Sequence, residues 1–125
     1  MTCNIRKVLL LIFLISIVQI FLAAYGFFSP FNCLTANKDI RQKKFNKVCI
    51  NDSYIRFKIE KDVGLKYGFI VINVSNRYNL NPINILGIRT YNRLMKEAFI
   101  KQNGEIQYNK YVNELDSTQL QIIEK

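Results

Sequence analysis

Histidine is absent from this sequence, and that absence removes the commonest catalytic partners. Neither a Ser-His nor a Cys-His pair can form, so acid-base catalysis would depend on carboxylates. Asp52 could meet Asp62 or Glu60 across a strand, but exposed charged residues flanking a turn explain these positions more simply. The sequence therefore predicts no catalytic residues, and we expect the protein not to be an enzyme.

Metal and nucleotide sites also lack their usual residues. There are three cysteines, and the two that lie close together, Cys33 and Cys49, cannot supply four zinc ligands without histidine. The chain has five glycines, but Gly64 and Gly68 precede no Gly-Lys-Ser/Thr element, which excludes a phosphate-binding loop there. We expect no metal and no cofactor.

Acidic residues are scarce as well. Nine aspartates and glutamates face 18 lysines and arginines, and the formal net charge of +9 is concentrated between Lys38 and Lys101. This balance favours anionic lipid headgroups or an acidic partner, although a merely solvated basic surface is the simpler alternative. No zinc-finger spacing or aromatic RNA-binding motif accompanies the charge, so direct nucleic-acid binding is not expected.

One long hydrophobic run is present, from Val8 to Phe28, and it contains no charged residue. As a helix it would be about 31 Å long, enough to cross a bilayer. We predict a transmembrane signal anchor at 8–28, preceded by a short cytoplasmic segment at 1–7. A cleaved signal peptide is the alternative, with small residues near Ala24 as the cutting site.

The orientation of the anchor rests on opposing signals. Lysines and arginines occur on both sides, but on the N-terminal side they lie directly beside the run. Cys33 and Cys49 both follow it, sixteen positions apart. A disulfide between them would close this loop and stabilise the folded protein by about 3 kcal/mol. We expect the C-terminal part to be exported, with 29–50 as a tether and disulfide loop; two free thiols in a reducing compartment are the alternative.

The remaining segment, 51–125, is expected to form a small β-rich domain. Apolar and charged residues alternate from Tyr54 to Glu60, which predicts a half-buried strand. Phe69 to Val74 is apolar on both faces and predicts a central strand, paired with the first in a hairpin. The apolar residues of the two strands are most simply core, and they are also the candidate partner or ligand surface: Ile55, Phe57, Ile59, Phe69 and Val71.

Further strands are predicted at 83–94, 96–101 and 105–112, with Asn103-Gly104 as a hairpin turn. A loop is predicted at 76–82. A helix over 85–101 is the alternative, since Ile88, Tyr91, Met95 and Phe99 also fall at helical spacing; 115–125 is a last strand or a short helix. The predicted fold class is a single N-terminal transmembrane helix followed by a small, mainly-β antiparallel meander, with α+β as the variant.

Short motifs resemble the FidL-like and MyfF/PsaF group of small enterobacterial proteins. They are Phe31-Asn32-Cys33 after the span, Arg56-Phe57, the Gly68–Ile72 stretch and Gly87-Ile88-Arg89-Thr90-Tyr91. The sequence departs from that group in being short and in lacking a C-terminal cysteine. The resemblance implies a single-pass protein of the bacterial inner membrane with a periplasmic β domain.

The same resemblance implies a function. Its members accompany a membrane-bound transcription activator of winged-helix type, as ToxS-like proteins do, and stabilise or modulate it, in some cases completing a cavity for a small apolar ligand. An immunity protein against an exported toxin and a subunit of a secretion or pilus assembly are the alternatives.

Overall fold

The computed structural model describes residues 2–24, 29–50, 52–74 and 82–124. These residues form five helices and two strands, in the order α1 (Thr2–Ala24), α2 (Cys33–Arg41), β1 (Phe45–Ile50), α3 (Tyr54–Tyr67), β2 (Phe69–Val74), α4 (Pro82–Asn103) and α5 (Glu105–Ile123). Of the residues described, 78% are helical. The expected mainly-β antiparallel meander is therefore wrong, and the fold is mainly helical.

Helix α1 confirms the predicted apolar N-terminal helix. Within the described chain it is the one helix that is long and apolar enough to cross a membrane, and its apolar window is not buried against the rest of the protein. The Ser16 hydroxyl donates to the Ile12 carbonyl at 2.9 Å, so this polar side chain is satisfied inside the helix. Residues 25–28 of the predicted span lie outside the described residues.

The two strands pair in parallel, with Phe45 opposite Phe69 and Ile50 opposite Val74. Helix α3 provides the crossover that a parallel pair requires. The strand predicted at 69–74 is confirmed with the same bounds. Its partner β1 lies in the segment expected to be a tether, so the predicted antiparallel hairpin is wrong.

Helix α3 occupies the stretch expected to be the first strand. The Ser53 hydroxyl accepts from the N–H of Arg56 at 3.4 Å and begins the helix, while Gly68, with a φ of +93°, ends it. Ile59, inside the alternating segment, and Val63, beyond it, are buried one helical turn apart on α3. Seven residues are too few to distinguish a strand period of 2 from a helical period of 3.6. The strand predicted from this alternation is therefore wrong.

Helices α4 and α5 replace the strands expected from 83 to 112. The buried positions of α4 are the four residues noted above for their helical spacing, together with Gly87, so the alternative interpretation of 85–101 is correct. Gly104 has a φ of +89° and separates two helices rather than two strands. The tail to Ile123 belongs to α5. Of the loop predicted at 76–82, residues 76–81 lie outside the described residues and Pro82 begins α4.

Helices cover both faces of the small sheet. Because side chains alternate along a strand, Phe45, Lys47 and Phe69 point to one face and Val48 and Val74 to the other. The first face packs against α3 and α5 around a cluster of Phe45, Ile59, Val63, Phe69, Phe99, Tyr111 and Leu115. The second packs against α2 and α4 around Ala36, Val48, Val74, Ile88, Tyr91 and Met95. The core thus includes residues from 29–50, which were expected to lie outside the domain.

Candidate functional site

An ion pair between a half-buried lysine and a buried carboxylate lies where the sheet packs against α3 and α5. The Lys47 Nζ is 2.6 Å from the Glu60 Oε2, and the Glu60 side chain is 5% exposed. The same ammonium donates to the Tyr111 hydroxyl at 3.3 Å. Burial lowers the pKa of Lys47, but the bonds to Glu60 and Tyr111 outweigh it and hold the pKa above its ordinary value. Lys47 therefore stays charged at neutral pH.

Cys49, Asp52 and Glu60 form the one group of potential metal ligands found among the described residues, with their ligand atoms within 4.8 Å of one another. The Cys49 Sγ donates to the Glu60 Oε2 at 3.5 Å. Burial and the neighbouring Glu60 carboxylate raise the pKa of Cys49 to about 12, so the thiol keeps its proton. Lys47 already neutralises Glu60. A divalent cation would have to displace the thiol proton of Cys49 and the ammonium group of Lys47. We therefore assign no metal here.

A second polar network lies on the opposite face of the sheet. The buried Tyr91 donates its O–H to the Asp39 Oδ2 at 2.5 Å, and Asn46 donates to the Tyr91 hydroxyl at 3.0 Å. Burial and the bond to Asp39 raise the pKa of Tyr91. This network joins α2, β1 and α4. Because the phenol stays protonated at physiological pH, we interpret these hydrogen bonds as structural.

A cleft of about 360 Å³ lies beside β1, between α4 and α5. We call it the β1 cleft. Its apolar floor includes Phe69 and Met95, and its polar lining consists of Asn46, Lys47, Asn92, Arg93, Lys96, Tyr108 and Tyr111. Three of these side chains are cations, and within the described part of the chain no carboxylate lines the cleft.

The three cations of the β1 cleft differ in how far they are already neutralised. Lys47 is paired with Glu60, and the exposed Arg93 is 3.5 Å from the exposed Glu97, a contact of small energetic value. Lys96 lies over the Tyr108 ring, 5.0 Å from its centroid, and no ion pair to it is found in the described residues. The cleft therefore presents an uncompensated positive charge beside two phenols, a combination suited to an anionic group with an apolar neighbour.

The predicted partner surface is divided between the surface and the core. Ile59, Phe69 and Val71 are buried, Phe57 is half-buried and Ile55 is exposed. Phe69 also reaches the floor of the β1 cleft. The structure does not bring the five residues together on one accessible face, because they belong to a helix and a strand whose inner faces pack against each other.

The predicted disulfide is not present in this structure. Cys33, partly exposed at the start of α2, and Cys49, buried on β1, are both free. Sequence reasoning also overlooked Lys47, Lys96 and the tyrosines of α5. The available signal was a lysine inside an apolar hexapeptide, Phe45–Ile50, which is unusual unless a buried carboxylate faces it.

Comparisons with known proteins add no relative to this picture. No protein-family model, curated protein or solved structure matches the chain.

Proposed function

We propose that this protein is a membrane-anchored, non-enzymatic accessory protein that binds and stabilises another membrane protein through the β1 cleft. Its anchor is α1, whose large apolar side chains from Val8 to Ile15 are about half exposed or more. A continuous apolar surface of that kind is not tolerated in water and is the normal surface of a helix in lipid. We assign the anchor to the bacterial inner membrane, with the C-terminal domain on the periplasmic side.

The observation that carries the binding function is the charge of the β1 cleft. Lys47, Arg93 and Lys96 reach it from two elements, and their net charge is not cancelled by the lining. An acidic segment of a partner complements this surface. The resemblance of the short motifs to the FidL-like group supplies the partner we propose, a membrane-bound transcription activator of winged-helix type.

The resemblance enters this proposal only through its implied function. It also implied an exported β domain, and the domain is mainly helical. The anchor and the β1 cleft carry the binding function, and any membrane protein with an acidic binding segment fits them.

Deletion of the gene tests this function. The steady-state amount of the membrane-bound activator should fall, and expression of the wild-type protein should restore it. Lys96→Glu should fail to restore it because the charge of the β1 cleft is reversed at its least compensated cation. Lys101→Glu is the matched control, since it makes the same change at an exposed position of the same helix outside the cleft.

An unchanged amount of activator in the deletion strain would contradict the proposed function. Equal rescue by both variants would contradict the assignment to the β1 cleft. A reporter fused after Lys125 measures the orientation, and a cytosolic signal would contradict the periplasmic assignment.

A further inference from the structure

The strands and the helices packed on them lie along one axis, some in one direction and some in the other, and this axis defines two ends of the domain. Phe99, late in α4, packs against Phe69 at the start of β2, with ring centroids 4.4 Å apart. Ile88, early in α4, packs in the cluster that contains Val74 at the end of β2. Helix α4 therefore runs opposite to the strands, and its first residues lie at the end of the domain where both strands finish.

The other helices meet at that same end. Helix α3 begins at Tyr54, shortly after β1 finishes, and α5 ends beside it, because Ile55, Ile59, Ile122 and Ile123 line one groove. Helix α2 starts there too, since it leads into the beginning of β1 at its other end. We call this the strand-exit end.

Exposed apolar side chains are concentrated at the strand-exit end. Four different helices contribute them: Leu34 from α2, Tyr54 and Ile55 from α3, Ile83 and Leu86 from α4, and Leu120, Ile122 and Ile123 from α5. At the opposite end the described residues include three such side chains, Leu65, Ile70 and Ile106. Exposed apolar side chains grouped on one part of a domain mark a surface for a partner or a membrane.

The anchor helix joins the domain at the strand-exit end as well. A Cβ placed on Gly87, in the second turn of α4, would lie 2.4 Å from the Ser29 Cβ, so the chain that follows α1 passes directly over the beginning of α4. Helix α1 itself contacts α4. The end of the domain that carries the apolar patch is therefore the end from which the apolar helix extends.

We propose that the phospholipid bilayer crossed by α1 also covers the apolar strand-exit end, so that the domain rests in the headgroup region instead of standing free on a tether. This inference rests on the proposed anchorage. Exposed cations lie within two turns of the same end, namely Arg56 and Lys58 on α3 and Arg89 on α4. Apolar side chains inserted at the interface with cations at headgroup level are the arrangement of interfacial helices on anionic lipid.

The absence of tryptophan from the chain gives a direct test. Ile123→Trp places a single indole at the strand-exit end, and Ile106→Trp places one at the opposite end; the two isoleucines are 80% and 76% exposed, so neither change disturbs the core. Ile55→Trp is a second reporter at the strand-exit end, on a different helix. Each full-length variant is reconstituted into vesicles of phosphatidylcholine and phosphatidylglycerol, with ordinary or brominated acyl chains.

We expect the tryptophan emission of Ile123→Trp and Ile55→Trp to be blue-shifted. Brominated acyl chains should quench most of the fluorescence of both variants. Ile106→Trp should emit as a water-exposed indole and be quenched little. The inference is overturned if all three variants float with the vesicles and all three remain unquenched, a result that leaves the anchorage intact. Blue-shifted but unquenched emission from Ile123→Trp also overturns it, because a protein would then cover the patch. If no variant floats with the vesicles, the proposed anchorage fails first and the inference falls with it.

Discussion

The side-chain amide of Asn92 forms two hydrogen bonds with the backbone of Val48. It donates to the Val48 carbonyl at 2.8 Å and accepts from the Val48 N–H at 2.9 Å. The amide thus takes the place of a third strand at the outer edge of β1. Asn73, in β2, makes the same two kinds of bond to the backbone of Asp52, just past the end of β1, at 3.2 and 3.3 Å. In this two-stranded sheet, side-chain amides bind backbone N–H and C=O groups that a further strand would bind in a wider sheet.

Asn92→Ala should lower the free energy of unfolding by about 1–3 kcal/mol, because the buried Val48 backbone loses both partners. Urea unfolding in mild detergent, followed by circular dichroism, measures the change. Asn109→Ala, at an exposed position of α5, is the control and should change stability by no more than about 0.5 kcal/mol. Equal effects of the two substitutions would show that the Asn92 bonds contribute nothing to stability.

Lys47→Met should destabilise the domain by roughly 3–5 kcal/mol, since Glu60 would remain buried without its cation. The double variant Lys47→Met/Glu60→Leu should recover most of that loss, because no charge is then left unpaired. A double-mutant cycle from urea unfolding gives the coupling between the two residues. Additive losses would mean that the ion pair does not act as a unit.

Stability should decrease at alkaline pH. The folded-state pKa of Cys49 is raised from 9.0 to about 12, and that of Lys47 is raised above 10.5. A group whose pKa is raised by folding stabilises the protein fully below its unfolded pKa and loses this contribution as the pH rises towards its folded pKa. The unfolding free energy should therefore fall between pH 9 and 12, and Cys49→Ala should reduce the slope there. An unchanged slope would contradict the burial of the thiol.

The cysteines should differ in reactivity. In a Cys3→Ser background, a maleimide should label the partly exposed Cys33 in the native protein, while Cys49 should be labelled only after unfolding. Mass spectrometry after partial labelling identifies the labelled cysteine. Adding Cys33→Ser provides a control in which Cys49 is the remaining thiol. Labelling of either residue only after reduction would instead establish the disulfide that the spacing of Cys33 and Cys49 predicts.

Gly87→Ala should destabilise the domain by about 1–3 kcal/mol, because the added Cβ would lie 2.6 Å from the Phe31 carbonyl oxygen as well as against Ser29. The direction of the stability change is informative, since Gly→Ala in an open helix interior stabilises a protein by up to about 1 kcal/mol. Thermal unfolding in detergent measures the change in stability. A stabilised variant would show that the 29–31 segment does not pack on α4.

Part of the fold could be predicted from local sequence. Pro82 at the first turn of a helix and the spacing of Ile88, Tyr91, Met95 and Phe99 contained the information for α4, but the interior Gly87 and the β-branched residues around it favoured a strand. Gly87 is required by the close approach of Ser29, a contact between residues far apart in sequence. Local propensity could not anticipate it.

The candidate site was less predictable than the fold. Lys47 and Tyr111 are 64 residues apart in sequence, and Val48 and Asn92 are 44 apart. Neither pair has a spacing signal, because each depends on how α4 and α5 pack against β1. The residues that looked like a binding surface, Ile59, Phe69 and Val71, became core for the same reason.

By itself the sequence determined the features that depend on composition within one segment. These are the apolar helix α1, the basic character of the rest and the strand Phe69–Val74, each of which follows from side chains acting on their own backbone or on solvent. Tertiary structure decided that β1 pairs in parallel with this strand, that 54–67 is helical, and which of the two interpretations of 85–101 is correct. It also decided that Lys47, Lys96 and Tyr111 share one cleft. Short apolar patterns fit a helix and a strand equally well, and only the burial of one face against distant residues distinguishes the two.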